Sequence, residues 1–190
     1  MQITLGSQSP RRRELMTGLD IPFRTVTIDA DESFPPELTA GDIPIYISRK
    51  KAEAYVPQLQ PDELLITADT IVWLHNAMLG KPQDLNDAKR MLHLLSGQTH
   101  QVYTGVTFTR LRDGAVTIES LVDCTDVTFR ELTDDEIDYY VDMYRPLDKA
   151  GAYGVQEYIG YIGVTKMNGS YFNVMGFPIG PVYEHLKWLK

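Results

Sequence analysis

The run Leu5-Gly6-Ser7-Gln8-Ser9-Pro10-Arg11-Arg12-Arg13-Glu14-Leu15 constrains the fold more than any other part of the chain. The end of an apolar strand, Ile3 and Leu5, passes through small residues, and a proline then stands at the first turn of a helix. Ser9 suits the N-cap. Pro10 suits the first helical position, where an N–H would have no intrahelical partner. A strand that feeds a capped helix so directly suits an architecture in which the two alternate. The helix start also offers backbone N–H groups, the positive end of the dipole and two or three guanidinium groups, which together can hold a polyanion. Read alone, a Ser-Pro-Arg-Arg tetrapeptide is more often a capped helix with a solvated basic patch.

The chain continues that alternation and then changes character. Pro10 to Leu19 reads as a helix with Leu15, Met16 and Leu19 on its apolar side, and Phe23–Ile28 alternates like a strand. Asp31 to Asp42, with two prolines and a glycine, reads as a loop, and Pro44 to Val56 has helical spacing. Leu64–Thr70 is an apolar strand ending in Ala68-Asp69-Thr70, followed by a hairpin of Ile71–Leu74 and Ala77–Leu79 around His75-Asn76. A helix starts at Asp84-Leu85-Asn86-Asp87 and runs to Leu95, where Ser96-Gly97 stops it. Val102–Leu111 and Ala115–Phe129 are long strands joined at Asp113-Gly114. Thr133-Asp134-Asp135-Glu136 is a capping box for a helix to about Met143, which Arg145-Pro146 breaks. Lys149–Gly154 is a small-residue loop, Ile159–Lys166 and Ser170–Val174 flank a second hairpin at Asn168-Gly169, and Pro181 to Leu189 closes as a helix. The pattern predicts a mixed sheet with helices on both sides, split by a cleft.

Composition narrows the function classes. The chain has 190 residues with 18 basic and 26 acidic side chains, a net charge of −8. That average repels duplex nucleic acid while permitting a local basic pocket for a small anion. One cysteine forms no internal disulfide, and four scattered histidines show no zinc spacing. No stretch approaches the roughly 20 apolar residues of a membrane span, so the expected compartment is the cytoplasm. Cys124 reads as a packed side chain in a strand. Of the C-terminal aromatics, Tyr153, Tyr158, Tyr161, Tyr171, Phe172 and Phe177 read as core.

Several short patterns can carry chemistry. Asp69 sits where a buried strand emerges, a place at which α/β sheets bind ligands, and an aspartate there can ligate Mg²⁺, orient a water or simply form a turn. Gly80-Lys81-Pro82 is not a P-loop, but its stiffened lysine suits a phosphate; as a tripeptide alone it is more often a solvated turn. Lys51 lies in a basic run whose default is a solvated helix face. Glu32, beside Asp31, is either a second metal-binding carboxylate or an ordinary loop acid. In the run Asp148 to Gln156 the small residues permit close approach of a ligand, and Gln156 carries the donor and acceptor that suit the edge of a base.

In their order these pieces resemble the Maf family of nucleoside triphosphate pyrophosphatases over essentially the whole chain, 1–190, as one domain. The matching motifs are Ser7 to Leu15, Lys51-Ala52, Ala68-Asp69-Thr70, Gly80-Lys81-Pro82, Leu95-Ser96-Gly97 and Asp148 to Gln156. The resemblance implies an α/β fold similar to that of inosine triphosphate pyrophosphatase, a mixed sheet flanked by helices with two lobes around a central cleft. It implies that Arg11 and Arg12 grip the triphosphate with Ser9 at the same helix start, and that Lys51 and Lys81 face the phosphates. Glu32 and Asp69 would bind a divalent cation, Mg²⁺ or Mn²⁺, with Asp69 the base for the attacking water. Arg11, Thr70 and Gln156 match the positions that set base preference in the branch acting on dTTP and UTP; a sister branch acting on 7-methyl-GTP has a bulkier residue where this chain has Arg11. Arg13, variable in the pattern, falls to the solvated surface.

Departures from the family pattern are Gly6 and Gly105 in place of alanine, and Ile47-Ser48 in place of Leu-Ala. The implied partner is a small-molecule nucleotide, with no nucleic acid and no membrane, and a homodimer is a family-level expectation. The family is also linked to inhibition of septum formation. The competing class is therefore a nucleotide-sensing regulator of cell division that does not hydrolyse its ligand.

Overall fold

A computed structural model describes residues 1–187. In chain order the elements are β1 (Gln2–Gly6), α1 (Pro10–Thr17), β2 (Phe23–Thr25), α2 (Asp42–Tyr55), β3 (Glu63–Leu74), β4 (Ala77–Leu79), α3 (Leu85–Leu95), β5 (Thr99–Arg112), β6 (Ala115–Phe129), α4 (Asp134–Tyr144), α5 (Tyr158–Gly163), β7 (Val164–Asn168), α6 (Tyr171–Val174) and α7 (Ile179–Lys187). Among the described residues the strands form a mixed sheet in the order β2-β1-β3-β5-β6-β7, with β4 paired to β3. β1 runs parallel to both neighbours, whereas β4 and β7 are antiparallel to β3 and β6. The chain divides into two compact units: Met1–Asp69 with Thr104–Asp123 and Gly176–Lys190, and Thr70–Tyr103 with Cys124–Met175.

In the first unit the two-residue period of β3 sorts its partners. Leu64, Ile66 and Ala68 face one way and pack with Ile3, Leu5, Val106 and Phe108, with Met16 of α1, and with Phe177, Val182 and Leu186 from the α7 end. Leu65 faces the other way and packs with Ala52 and Tyr55 of α2. Helices thus cover both faces, as the mixed pattern predicted. Odd-numbered residues of the first half of β3 meet α2: the Tyr55 hydroxyl donates to Glu63 Oε1 at 3.1 Å, and the Thr67 hydroxyl donates to the Ser48 carbonyl at 2.7 Å. α2 approaches β5 so closely that a Cβ on Gly105 would lie 2.5 Å from the backbone of Pro44 and Ile45, which accounts for glycine there. Ser48, buried, spends its hydroxyl on the Ile45 carbonyl (2.9 Å) and Thr107 (2.8 Å).

A second buried polar cluster lies at the start of β3. Glu63 accepts from Thr4, from Arg24 Nη2 at 2.7 Å, from Tyr55 and from the Gln60 N–H at 3.0 Å. Burial opposes its charge, but these donors together hold its carboxyl below the usual range. Nothing in the sequence pattern had singled out Glu63.

The second unit keeps its helices by local signals. Asp84 caps α3 by accepting from the Asp87 N–H at 2.8 Å, and the Thr133–Glu136 capping box opens α4. His100 is buried against Phe129 and Tyr153, with one hydrogen bond between its Nε2 and the Tyr153 hydroxyl at 2.7 Å. Burial pushes its ring down to about 4. The unfolded chain takes up that proton near pH 6.5 and the folded protein only near 4. Stability from this group is therefore complete above about pH 6.5 and falls towards pH 4 by at most about 1.4 kcal/mol per pH unit. Urea midpoints should drop between pH 7 and pH 5, and His100→Gln should shrink that drop; an undiminished drop would show that other groups carry it.

Several sequence expectations are corrected. α1 ends at Thr17 rather than Leu19, and β2 at Thr25 rather than Ile28. Ile71–Leu74 is no separate strand but the end of β3, which turns back into β4 through His75 and Asn76, both at positive φ. The second hairpin does not form. Tyr158–Gly163 is helical, β7 pairs with β6, and after Gly169 the Ser170 hydroxyl caps α6, whose buried Asn173 donates to the Val102 carbonyl at 3.0 Å. Cys124 is exposed, because the alternation of β6 turns Thr125, Val127 and Phe129 inward. Tyr153 and Phe177 are core, but Tyr161, Tyr171 and Phe172 are exposed. The final helix is seen over Ile179–Lys187, and the last two residues predicted for it lie outside the described residues.

Candidate active site

β1 stops at Gly6, opposite Thr67, while β3 runs on to Leu74. The expectation that the strand ends at Thr70 is therefore corrected, yet Asp69 still lies two residues past the last parallel pair, at the carboxyl end of the parallel ladder. The period of β3 turns its side chain towards α2, where Lys51 meets it. Lys51 Nζ is 2.8 Å from Asp69 Oδ1 and 2.8 Å from Glu32 Oε1. The lysine is largely buried and does not lie on a solvated face. Burial raises the Asp69 pKa, against the opposing pull of Lys51 and Arg12.

The loop before α2 is held by the neighbouring lysine. Lys50 Nζ contacts Asp31 Oδ2 at 2.9 Å and donates to the Ser33 carbonyl at 3.0 Å, while the Ser33 N–H donates to Asp31 Oδ1 at 2.9 Å. Successive residues of one helix thereby hold successive acids of one loop, which brings Glu32 to Asp69. The Asp-x-Ser spacing at Asp31 was the only local signal for this.

Ser9 caps α1 and accepts from the Arg12 N–H at 3.5 Å. The Arg12 guanidinium is anchored by main chain: Nε donates to the Gly176 carbonyl and Nη1 to the Ala68 carbonyl, each at 2.8 Å. The residue after Ala68 is Asp69, so Arg12 is fixed beside the carboxylate. Arg11 is partly buried and Arg13 exposed. The first unit therefore gathers Ser9, Arg12, Glu32, Lys51 and Asp69.

In the second unit Thr70 follows Asp69 along β3, and Lys81 is exposed in the loop after β4. That loop is clasped to the 149–156 loop by the Gly151 N–H, which donates to the Gly80 carbonyl at 3.0 Å. Gly151 has a positive φ of 67°, and a Cβ there would lie 2.9 Å from Val72 Cγ2. Gln156 Oε1 is buried with no hydrogen-bond partner among the described residues.

Among the described residues no group of three or more His, Cys, Asp or Glu side chains could cage a metal. The Glu32–Asp69 pair nonetheless suits Mg²⁺ or Mn²⁺. Both carboxylates already share one cationic centre, and such ions are commonly held by one or two carboxylates, with phosphate and water filling the remaining positions. No described helix is long and apolar enough to cross a membrane.

A mixed α/β sheet that sets a largely buried aspartate and an exposed glutamate on one lysine, beside an arginine-bearing helix start, has the groups that suit a divalent cation and a polyanion. The family model for Maf-like protein matches residues 2–189, and the chain belongs to that family. It is 53% identical over 189 residues to the dTTP/UTP pyrophosphatases of Phocaeicola vulgatus and Bacteroides thetaiotaomicron, in each case covering 99% of this chain and 96% of the relative. The dTTP/UTP pyrophosphatase of Porphyromonas gingivalis is 51% identical over 190 residues, covering 98% and 93%. A solved nucleoside-triphosphatase / dITP/XTP pyrophosphatase from Mycobacterium abscessus is 12% identical with a TM-score of 0.39, over 67% of this chain and 74% of that one. The α/β assignment rests on the strand order and helix packing, not on that likeness.

Proposed function

We propose that the protein hydrolyses dTTP and UTP to the monophosphate and pyrophosphate. The observation that carries this reading is the Lys51 ammonium held between Asp69 and Glu32, with Arg12 fixed alongside. Water attacks the α-phosphorus, and Asp69, its pKa raised by burial, accepts the proton. The bond from the α-phosphorus to the bridging oxygen breaks, and pyrophosphate departs with its charge opposed by Arg12, Lys51 and Lys81. Glu32 and Asp69 would hold Mg²⁺ or Mn²⁺, which supplies charge neutralisation at the phosphate oxygens when bound. Ser9 and Arg11 complete the phosphate grip at the start of α1.

Base choice falls to Arg11, Thr70 and Gln156. The orphaned Gln156 Oε1 suits the ring N–H of thymine or uracil, because a buried acceptor left unpaired in the free protein gains most from a ligand donor. Modified pyrimidines such as 5-methyl-UTP satisfy the same edge. Pyrophosphate release should be measured over a panel of NTPs and dNTPs with Mg²⁺ and with Mn²⁺. Turnover should favour dTTP and UTP and require the metal. Equal turnover of dTTP, dATP and dGTP would refute the base assignment, and tight binding without release would mark a sensor instead.

A further inference from the structure

We propose that Tyr140 is a positioning residue for base selection, acting on Gln156 through Gly154 and Glu157; this rests on the reading of Gln156 above. Tyr140 belongs to α4 and is wholly buried. Its hydroxyl is used twice. It accepts from the Gly154 N–H at 3.0 Å and donates to Glu157 Oε2 at 2.5 Å. Those two residues bracket Gln156, and the Glu157 N–H donates to the Gly154 carbonyl at 3.0 Å to close the turn between them. The second Glu157 oxygen, Oε1, lies 3.2 Å from Lys149 Nζ, which also pairs with Asp148 at 2.8 Å.

One phenol thus pins both sides of the turn that carries Gln156, and Lys149 ties the carboxylate to the start of the same loop. The fit is tight: a Cβ on Gly154 would lie 2.8 Å from the Glu157 carboxyl carbon. Gln156 needs such support because its buried Oε1 has no partner of its own to orient it. An amide aimed only by its backbone misreads a base edge when that backbone moves by a few tenths of an ångström.

Tyr140→Phe keeps the ring and deletes both hydrogen bonds. The measurements are kcat and KM for dTTP and dCTP, which differ at the base edge, together with the thermal midpoint. KM for dTTP should rise roughly tenfold with kcat changed less than about twofold, and the preference for dTTP over dCTP should fall in step. A lower midpoint with the preference intact would overturn the proposal by leaving Tyr140 a purely structural role. Gln156→Ala is measured in parallel. If it leaves the preference unchanged, the base reading of Gln156 itself fails. If it abolishes the preference while Tyr140→Phe does not alter it, only the positioning role fails. Should Tyr140→Phe not fold, Glu157→Gln decides, since it keeps an acceptor for Tyr140 but releases Lys149. A preference reduced about threefold supports the device, and an unchanged one overturns it.

Discussion

Replacing Asp69 by asparagine should slow pyrophosphate release from dTTP by about 10²- to 10⁴-fold, the range over which a positioned general base acts. Asparagine fills the same volume, so the fold has no reason to fail. Asp69 is buried with a raised pKa, and a neutral side chain there removes a desolvation cost instead of adding one. What is lost is the proton acceptor and half the charge that holds Lys51 in place; Lys51 retains Glu32. Nucleotide affinity, measured by calorimetry, should therefore survive far better than turnover. Full turnover in the variant would end the assignment of Asp69 as base.

Glu63→Ala should destabilise the protein by about 3–4 kcal/mol, read as a shift in urea unfolding. Thr4 and Tyr55 lose their acceptor in a buried place and the part-buried Gln60 N–H loses its own, whereas Arg24, about two-fifths exposed, rehydrates cheaply. The Glu63 carboxyl titrates below its usual range in the folded protein. Its contribution is therefore present above roughly pH 4.5 and disappears as pH falls through the folded-state value, so the deficit of the variant should narrow in acid. Six residues of strand separate Glu63 from Asp69, about 20 Å, and turnover of the folded variant should be near normal. A variant as stable as the parent would show that the cluster is ornamental.

These two carboxylates lie on one face of one strand, yet only one was visible beforehand. Asp69 stood out because it ends an apolar run within a recognisable motif. Glu63 stands just before the same run with nothing local to mark it, because its partners Thr4, Arg24 and Tyr55 are 59, 39 and 8 residues away. Lys51 shows the same division. Its helix was legible from spacing, but its neighbours Arg49 and Lys50 made a solvated face the natural reading, and only the pleat of β3 turns Asp69 towards it.

By itself the sequence determined what is decided within a few residues. Ser9, Asp84 and Thr133 of the capping box each satisfy an N–H three positions ahead, and Asp113-Gly114 turns on its own positive φ angles. Asn168-Gly169 carried an equally local hairpin signal and failed. A second local signal, the Ser170 cap, combined with the buried hydrogen bonds of Asn173 to make a helix instead. Tertiary structure alone decided where the charges meet. Lys51 and Asp69 are 18 residues apart, and Arg12 reaches carbonyls 56 and 164 residues away. No local preference encodes such encounters; they follow once the parallel pairing of β1 with β3 and the packing of α2 are in place.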